Sequence, residues 1–60
     1  MEHEIMTIEQ VAKYLQISEV STYKLVNAGR IPAFKIGRHW RIRKIDLEEA
    51  LEKVKRGERL

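Results

Sequence analysis

Seven side chains between positions 20 and 45 carry positive charge: Lys24, Arg30, Lys35, Arg38, Arg41, Arg43 and Lys44, with no acid among them. Guanidinium and ammonium groups at this density do one kind of chemistry well, which is to neutralise an array of phosphate oxygens. Outside the stretch, five basic residues face nine acids, so the formal +3 of the 60-residue chain is +7 at the centre against −4 at the ends. Tyr23 and Asn27 lie among the cations, and an asparagine amide that reaches a groove matches the edge of adenine in bidentate fashion. Other chemistries lack their parts. Ser18, Ser21 and Thr22 have no histidine base nearby in the sequence, so they read as capping and packing residues, not nucleophiles. His3 and His39 stand far apart in a chain without cysteine, which leaves no clustered ligand set for a metal. With no catalytic pair and no phosphate loop, the expectation is a binding protein that needs neither cofactor nor metal.

Two short helices must position the first of these residues. Thr7-Ile8-Glu9-Gln10 has the form of a capping box, in which Thr7 accepts from the N–H three residues on and Gln10 reaches back. Ile8, Val11, Ala12 and Leu15 then recur at helical spacing as one apolar stripe. Ser18 is a strong N-cap for a second helix, Gly29 its stop, and Pro32 prevents any continuation. Its inward set is Ser21, Thr22, Leu25 and Val26, which leaves Val20, Tyr23, Lys24 and Asn27 on the opposite face. Two helices of this length, joined by a tight turn with small residues where they cross, form a helix-turn-helix arrangement.

A hairpin must carry the remaining cations. Phe34 and Ile36 alternate with Lys35, and Trp40 and Ile42 alternate with Arg41 and Arg43, on either side of a loop containing Gly37. If the four apolar residues share a face, Ile36 opposes Trp40 and Phe34 opposes Ile42, around a three-residue Gly37-Arg38-His39 loop. The alternative is a two-residue Gly37-Arg38 turn, which sets Lys35 opposite Trp40. The longer loop is the expectation. It sends Lys35, Arg41 and Arg43 outward, places Arg38 and His39 at the tip, and puts Trp40 in the core. A third helix follows from Ile45, with Asp46, Glu48 and Glu49 early and Lys53, Lys55 and Arg56 late, a polarity that suits the macrodipole. Leu47, Ala50, Leu51 and Val54 form its apolar stripe.

Size and composition agree with a small binding module. Sixty residues support one thin core, too little to enclose a deep substrate pocket of about 300–1,000 Å³. The longest apolar runs are two or three residues, so neither a membrane span nor a signal-peptide core is expected. Together with the absent cysteine, this fits a cytoplasmic protein.

The string Thr-Ile-Glu-Gln-Val-Ala-Lys-Tyr-Leu, the segment 18–29, Arg-Ile-Pro-Ala, Ile-Gly-Arg-His-Trp-Arg-Ile and Asp-Leu-Glu-Glu-Ala-Leu resembles the excisionase-type DNA-binding domains. These are small winged helix-turn-helix modules related to the MerR-type regulators, and the resemblance covers about residues 5–55. It implies an α+β fold of two short helices, a β-hairpin wing and a C-terminal helix over residues 7–56, with a flexible lead-in at 1–6 and a frayed tail at 57–60. It also implies a recognition helix over 18–28 in the major groove and a wing on the backbone or in the minor groove. Ser18, Val20, Tyr23, Lys24 and Asn27 would then be the reading residues. Arg30, Lys35, Arg38, His39, Arg41 and Arg43 would be the wing and backbone contacts. The implied partner is double-stranded DNA, approached by a free monomer that gains affinity from further copies of itself or from an integrase. The alternative is a winged module that docks an acidic protein. Glu19 and Val20 depart from the family pattern, which often has basic or small polar residues there.

Overall fold

The computed structural model describes residues 4–60. Six elements follow in order: β1 (Ile5–Met6), α1 (Ile8–Leu15), α2 (Glu19–Asn27), β2 (Phe34–Ile36), β3 (His39–Arg43) and α3 (Lys44–Lys55). The three antiparallel strands form one sheet in the order β1-β3-β2. This is the expected α+β winged helix-turn-helix, with one strand more than the sequence pattern indicates.

Local signals set both helix starts. Thr7 Oγ1 accepts from the Gln10 N–H at 3.1 Å while Gln10 Oε1 accepts from the Thr7 N–H at 2.9 Å, a complete capping box. Ser18 Oγ accepts from the Ser21 N–H at 3.0 Å at the head of α2. Between them the chain reverses at Gln16, whose φ of 60° is left-handed although it is not glycine. The Ile17 N–H reaches back to the Ala12 carbonyl at 3.0 Å and closes the end of α1. Gly29, at φ +74°, does the same for α2, since the Arg30 N–H donates to Leu25 and the Gly29 N–H to Val26.

One core ties the elements together. Val11, Ile31, Ile42, Leu47 and Thr22 are fully buried, and Met6, Ile8 and Val26 complete the cluster. Thr22 tolerates burial because its hydroxyl donates to the Ser18 carbonyl at 2.9 Å, which leaves no orphan polar group. Ser21, expected on the inward face with it, is exposed.

Three expectations are corrected. Ile5 and Met6 belong to a strand paired with Arg43 and Ile42, and Met6 is buried, so the lead-in is structured at least from here. The hairpin takes the two-residue turn: Ile36 pairs with His39, Lys35 with Trp40 and Phe34 with Arg41. Gly37 has φ +64° while Arg38 does not, the pattern of a type II′ turn, whose twist matches the strands better than a longer loop does. The core can spare Phe34 and Ile36 because Met6 and Ile31 fill the sheet's inner face. They are left 39% and 60% exposed on the outer side. At the far end, Gly57 at φ +100° closes α3 through the Glu58 N–H to the Lys53 carbonyl, and Leu60 packs on the core. The tail is therefore held where fraying was expected.

Candidate nucleic-acid interface

The outward surface of α2 follows from what the helix buries. Thr22 and Val26 face the core, and at 3.6 residues per turn the opposite row is Val20, Lys24 and Asn27. All three are exposed, Val20 at 64%. Tyr23 and Glu19 flank the row on the side nearer the hairpin. With His39, Trp40, Arg41, Thr7, Ile8 and Glu9 they line a shallow cleft of about 220 Å³. This cleft joins the exposed helix to the wing, so both belong to one continuous face of the domain. Ser18 is exposed at the head of the helix, but its hydroxyl is engaged with the Ser21 N–H and Ser21 Oγ, each at 3.0 Å.

The wing carries its cations in different states. Arg38 occupies the second position of the turn and, with His39, is exposed at the tip. Lys35 shares a face with Trp40, directly opposite it, and its Nζ lies 5.1 Å from the indole centroid. Lys35 therefore does not point away from the Trp40 side, as the longer loop required; its stem covers a ring that is half-buried. Arg41 is half-buried, donating from one terminal nitrogen to the Trp40 carbonyl at 2.7 Å.

Two further members of the basic stretch have carboxylate partners. Arg43 grips Asp46 in bidentate fashion, Nε and one terminal nitrogen each at 2.9 Å. That hydrogen bonding and the Asp46 charge raise its pKa above the ordinary guanidinium value. Lys44 lies 3.7 Å from Glu4 and 5.8 Å from the Tyr14 ring. Arg30 is exposed after α2, but it lines a different cleft of about 170 Å³ with Asp46, Glu49 and Lys53 of α3. Among the described residues, Lys24, Arg30, Lys35, Arg38 and Arg41 have no ion-pairing carboxylate.

The structure thus brings Tyr23, His39 and Arg41 together at one cleft, leaves Val20, Lys24 and Asn27 exposed on the outward row of α2 and Lys35 and Arg38 exposed on the wing, and gives Arg30 and Arg43 other surroundings. Sequence reasoning missed two participants. The sequence pattern presents Asp46 only as a charge for the α3 dipole, although its spacing of three from Arg43 at a helix start is a usable signal. Glu19 departs from the pattern in the sequence, but only the fold shows that it lines the cleft toward the wing. His3 lies outside the described residues. Among those described, no helix is long and apolar enough to cross a membrane.

Two capped helices crossing at a left-handed turn, followed by a basic hairpin packed beside the second, define a winged helix-turn-helix domain. The chain belongs to the helix-turn-helix domain family, which it matches over residues 5–55. It is 40% identical over 43 residues to YvgK of Bacillus subtilis, an uncharacterized protein; the match covers 72% of this chain and 14% of that one. It is 31% identical over 49 residues to Rv0500A of Mycobacterium tuberculosis, provisionally named a DNA-binding protein, covering 82% of this chain and 63% of that one. The same match is found to MT0521 of another strain, which bears the same provisional name. The chain therefore spans less than two thirds of the length of these relatives. No solved structure matches it.

Proposed function

We propose that this domain binds double-stranded DNA in a sequence-specific manner, with α2 in the major groove and the wing along the adjacent backbone or minor groove. One observation carries the reading. The row of α2 turned away from the core is exposed, and beside it Glu19 and Tyr23 share a shallow cleft with a wing that bears Lys35, Arg38 and Arg41 without carboxylate partners among the described residues. An α-helix fits the major groove, where its first turns can reach base edges, while phosphate contacts fix its register. The provisional name of the mycobacterial relatives points the same way. The domain acts by binding, as an accessory factor of site-specific recombination or as a small regulator of transcription.

The free domain is a monomer in this reading. Long-helix dimers need an apolar seam of three to four heptads, whereas α3 has 12 residues and turns Leu47 and Ala50 into its own core. One module reads only a few base pairs, so selectivity comes from further copies on direct repeats or from a partner such as an integrase. Selection of bound duplexes from a random pool, followed by anisotropy titration, tests the proposal. A reproducible site with loss of binding at high salt supports it, and no retained duplex at low salt refutes it. Sedimentation equilibrium at about 100 μM protein is expected to give a monomer, and a stable dimer would overturn that part.

A second reading has one observation in its favour: Phe34 and Ile36 are exposed on the outer face of a basic wing, as a docking surface for an acidic protein would be. Competition separates the two, because partner binding unaffected by excess duplex favours docking.

A further inference from the structure

Val20 is the residue of α2 that the fold does not explain. It is 64% exposed, the largest exposure among the sizeable apolar side chains of the described residues. A β-branched residue in the first turn of a helix gains nothing in propensity, and here it gains nothing in packing. Its hydrocarbon cannot donate, accept or neutralise. It nonetheless occupies the outward row, one turn before Lys24 and two turns before Asn27. Along that row the chemistry runs from apolar to cationic to amide over seven residues, about 10.5 Å of helix, roughly the rise of three base pairs.

Only one feature of the major groove rewards an exposed aliphatic group, and that is the C5-methyl of thymine. Resting on the DNA-binding reading above, we propose that Val20 determines specificity by packing its γ-methyl groups on a thymine methyl. The preferred site then has a T·A pair under the first turn of α2, about three base pairs from the pair read by Asn27. Lys24, between them, supplies charge to the backbone or to a purine edge. The cleft-lining Glu19 and Tyr23 stand on the wing side of this row, so they flank the methyl contact and do not compete for it.

The test uses the duplex selected by the domain, with each thymine replaced singly by deoxyuridine, which removes the methyl and leaves every hydrogen-bonding edge in place. One position is expected to weaken binding about three- to fivefold, the worth of a buried methyl group. For Val20→Ala the same replacement is expected to be silent, while the other thymines behave as in the parent protein. Because Val20 is exposed, the alanine variant keeps its fold, and an unchanged circular dichroism melt confirms that. If every uridine substitution is silent in the parent, or one position loses affinity equally in the parent and in Val20→Ala, the methyl contact is refuted although DNA binding stands. If no duplex is bound at all, the DNA-binding reading and this inference both fail.

Discussion

Neutralising Arg38 is expected to change how binding depends on salt, and the structure sets the size of the change. Of the seven central cations, Arg43 and Lys44 already face Asp46 and Glu4, and Arg30 lies on the α3 side of α2. Lys24, Lys35, Arg38 and Arg41 remain on α2 and the wing without a carboxylate partner among the described residues. If each meets one phosphate, four counterions are displaced and the log–log slope is about −3.6. Affinity then falls by about 150-fold between 50 and 200 mM salt. Arg38→Ala removes one contact, which gives a slope near −2.7 and a fall of only about 40-fold over the same range. The loss should be similar for every sequence, because a phosphate contact carries no base information. Arg43→Ala is the control: its charge is already spent on Asp46, so the slope should stay near that of the parent. Fluorescence anisotropy on one duplex at four or five salt concentrations measures all three proteins. A parental slope near zero, or an Arg38→Ala slope equal to the parent's beside a flattened Arg43→Ala slope, would refute the assignment of charges made here.

Three further outcomes follow from the packing. Ile42→Ala should cost about 2–5 kcal/mol, enough to unfold most of so small a domain, whereas Ile36→Ala should stay within about 0.5 kcal/mol; equal losses in thermal melts would contradict the two-residue hairpin register. Trp40→Ala should cost about 2 kcal/mol, less than a fully buried aromatic because the ring is half-buried beneath Lys35, and an unchanged melting temperature would argue for a base-stacking role instead. Gln16→Gly should stabilise by about 0.5–1 kcal/mol, since the left-handed φ of 60° costs a side-chain-bearing residue, and urea titration showing no gain would mean that the Gln16 side chain compensates for its backbone.

What could be read in the sequence depended on the range of the interaction involved. The caps at Thr7 and Ser18 and the stop at Gly29 are decided within five residues, and each formed as the residue pattern indicates. The outward row of α2 was equally legible, because the inward positions fix it by helical periodicity. The hairpin register was not. Alternation of Phe34, Ile36, Trp40 and Ile42 asks for a shared face, but the turn geometry at Gly37 asks for two central residues, and the turn prevailed. A local pattern cannot show that Met6 and Ile31 already supply the apolar surface the sheet needs. For the same reason β1 is not legible in the sequence. A two-residue strand has no periodicity of its own, and its signal is the pairing with Ile42 and Arg43, some 37 positions away.

The uses of positive charge in this chain divide at the end of β3. Before it, Lys24, Lys35, Arg38 and Arg41 have no carboxylate partner among the described residues, even though accumulation of like charges on a thin domain works against folding. At that end itself, Arg43 ties the last residue of β3 to the first turn of α3, and Lys44 ties the start of α3 to the segment preceding β1. The Lys44 N–H also donates to the Glu4 carbonyl at 2.8 Å, so the side-chain pair and the backbone bond hold the same two segments. Exposed ion pairs of this kind are individually worth little, and what they determine here is location more than stability. By drawing Arg43 and Lys44 toward acids, they pair two cations at the β3–α3 junction and leave the unpaired charge of the central stretch to α2, Arg30 and the wing. A net charge of +3 would not by itself orient the domain on a polyanion. In the proposed binding mode the segregation of its components would do so, with the acids at Glu4 and Asp46 contributing by engaging Lys44 and Arg43.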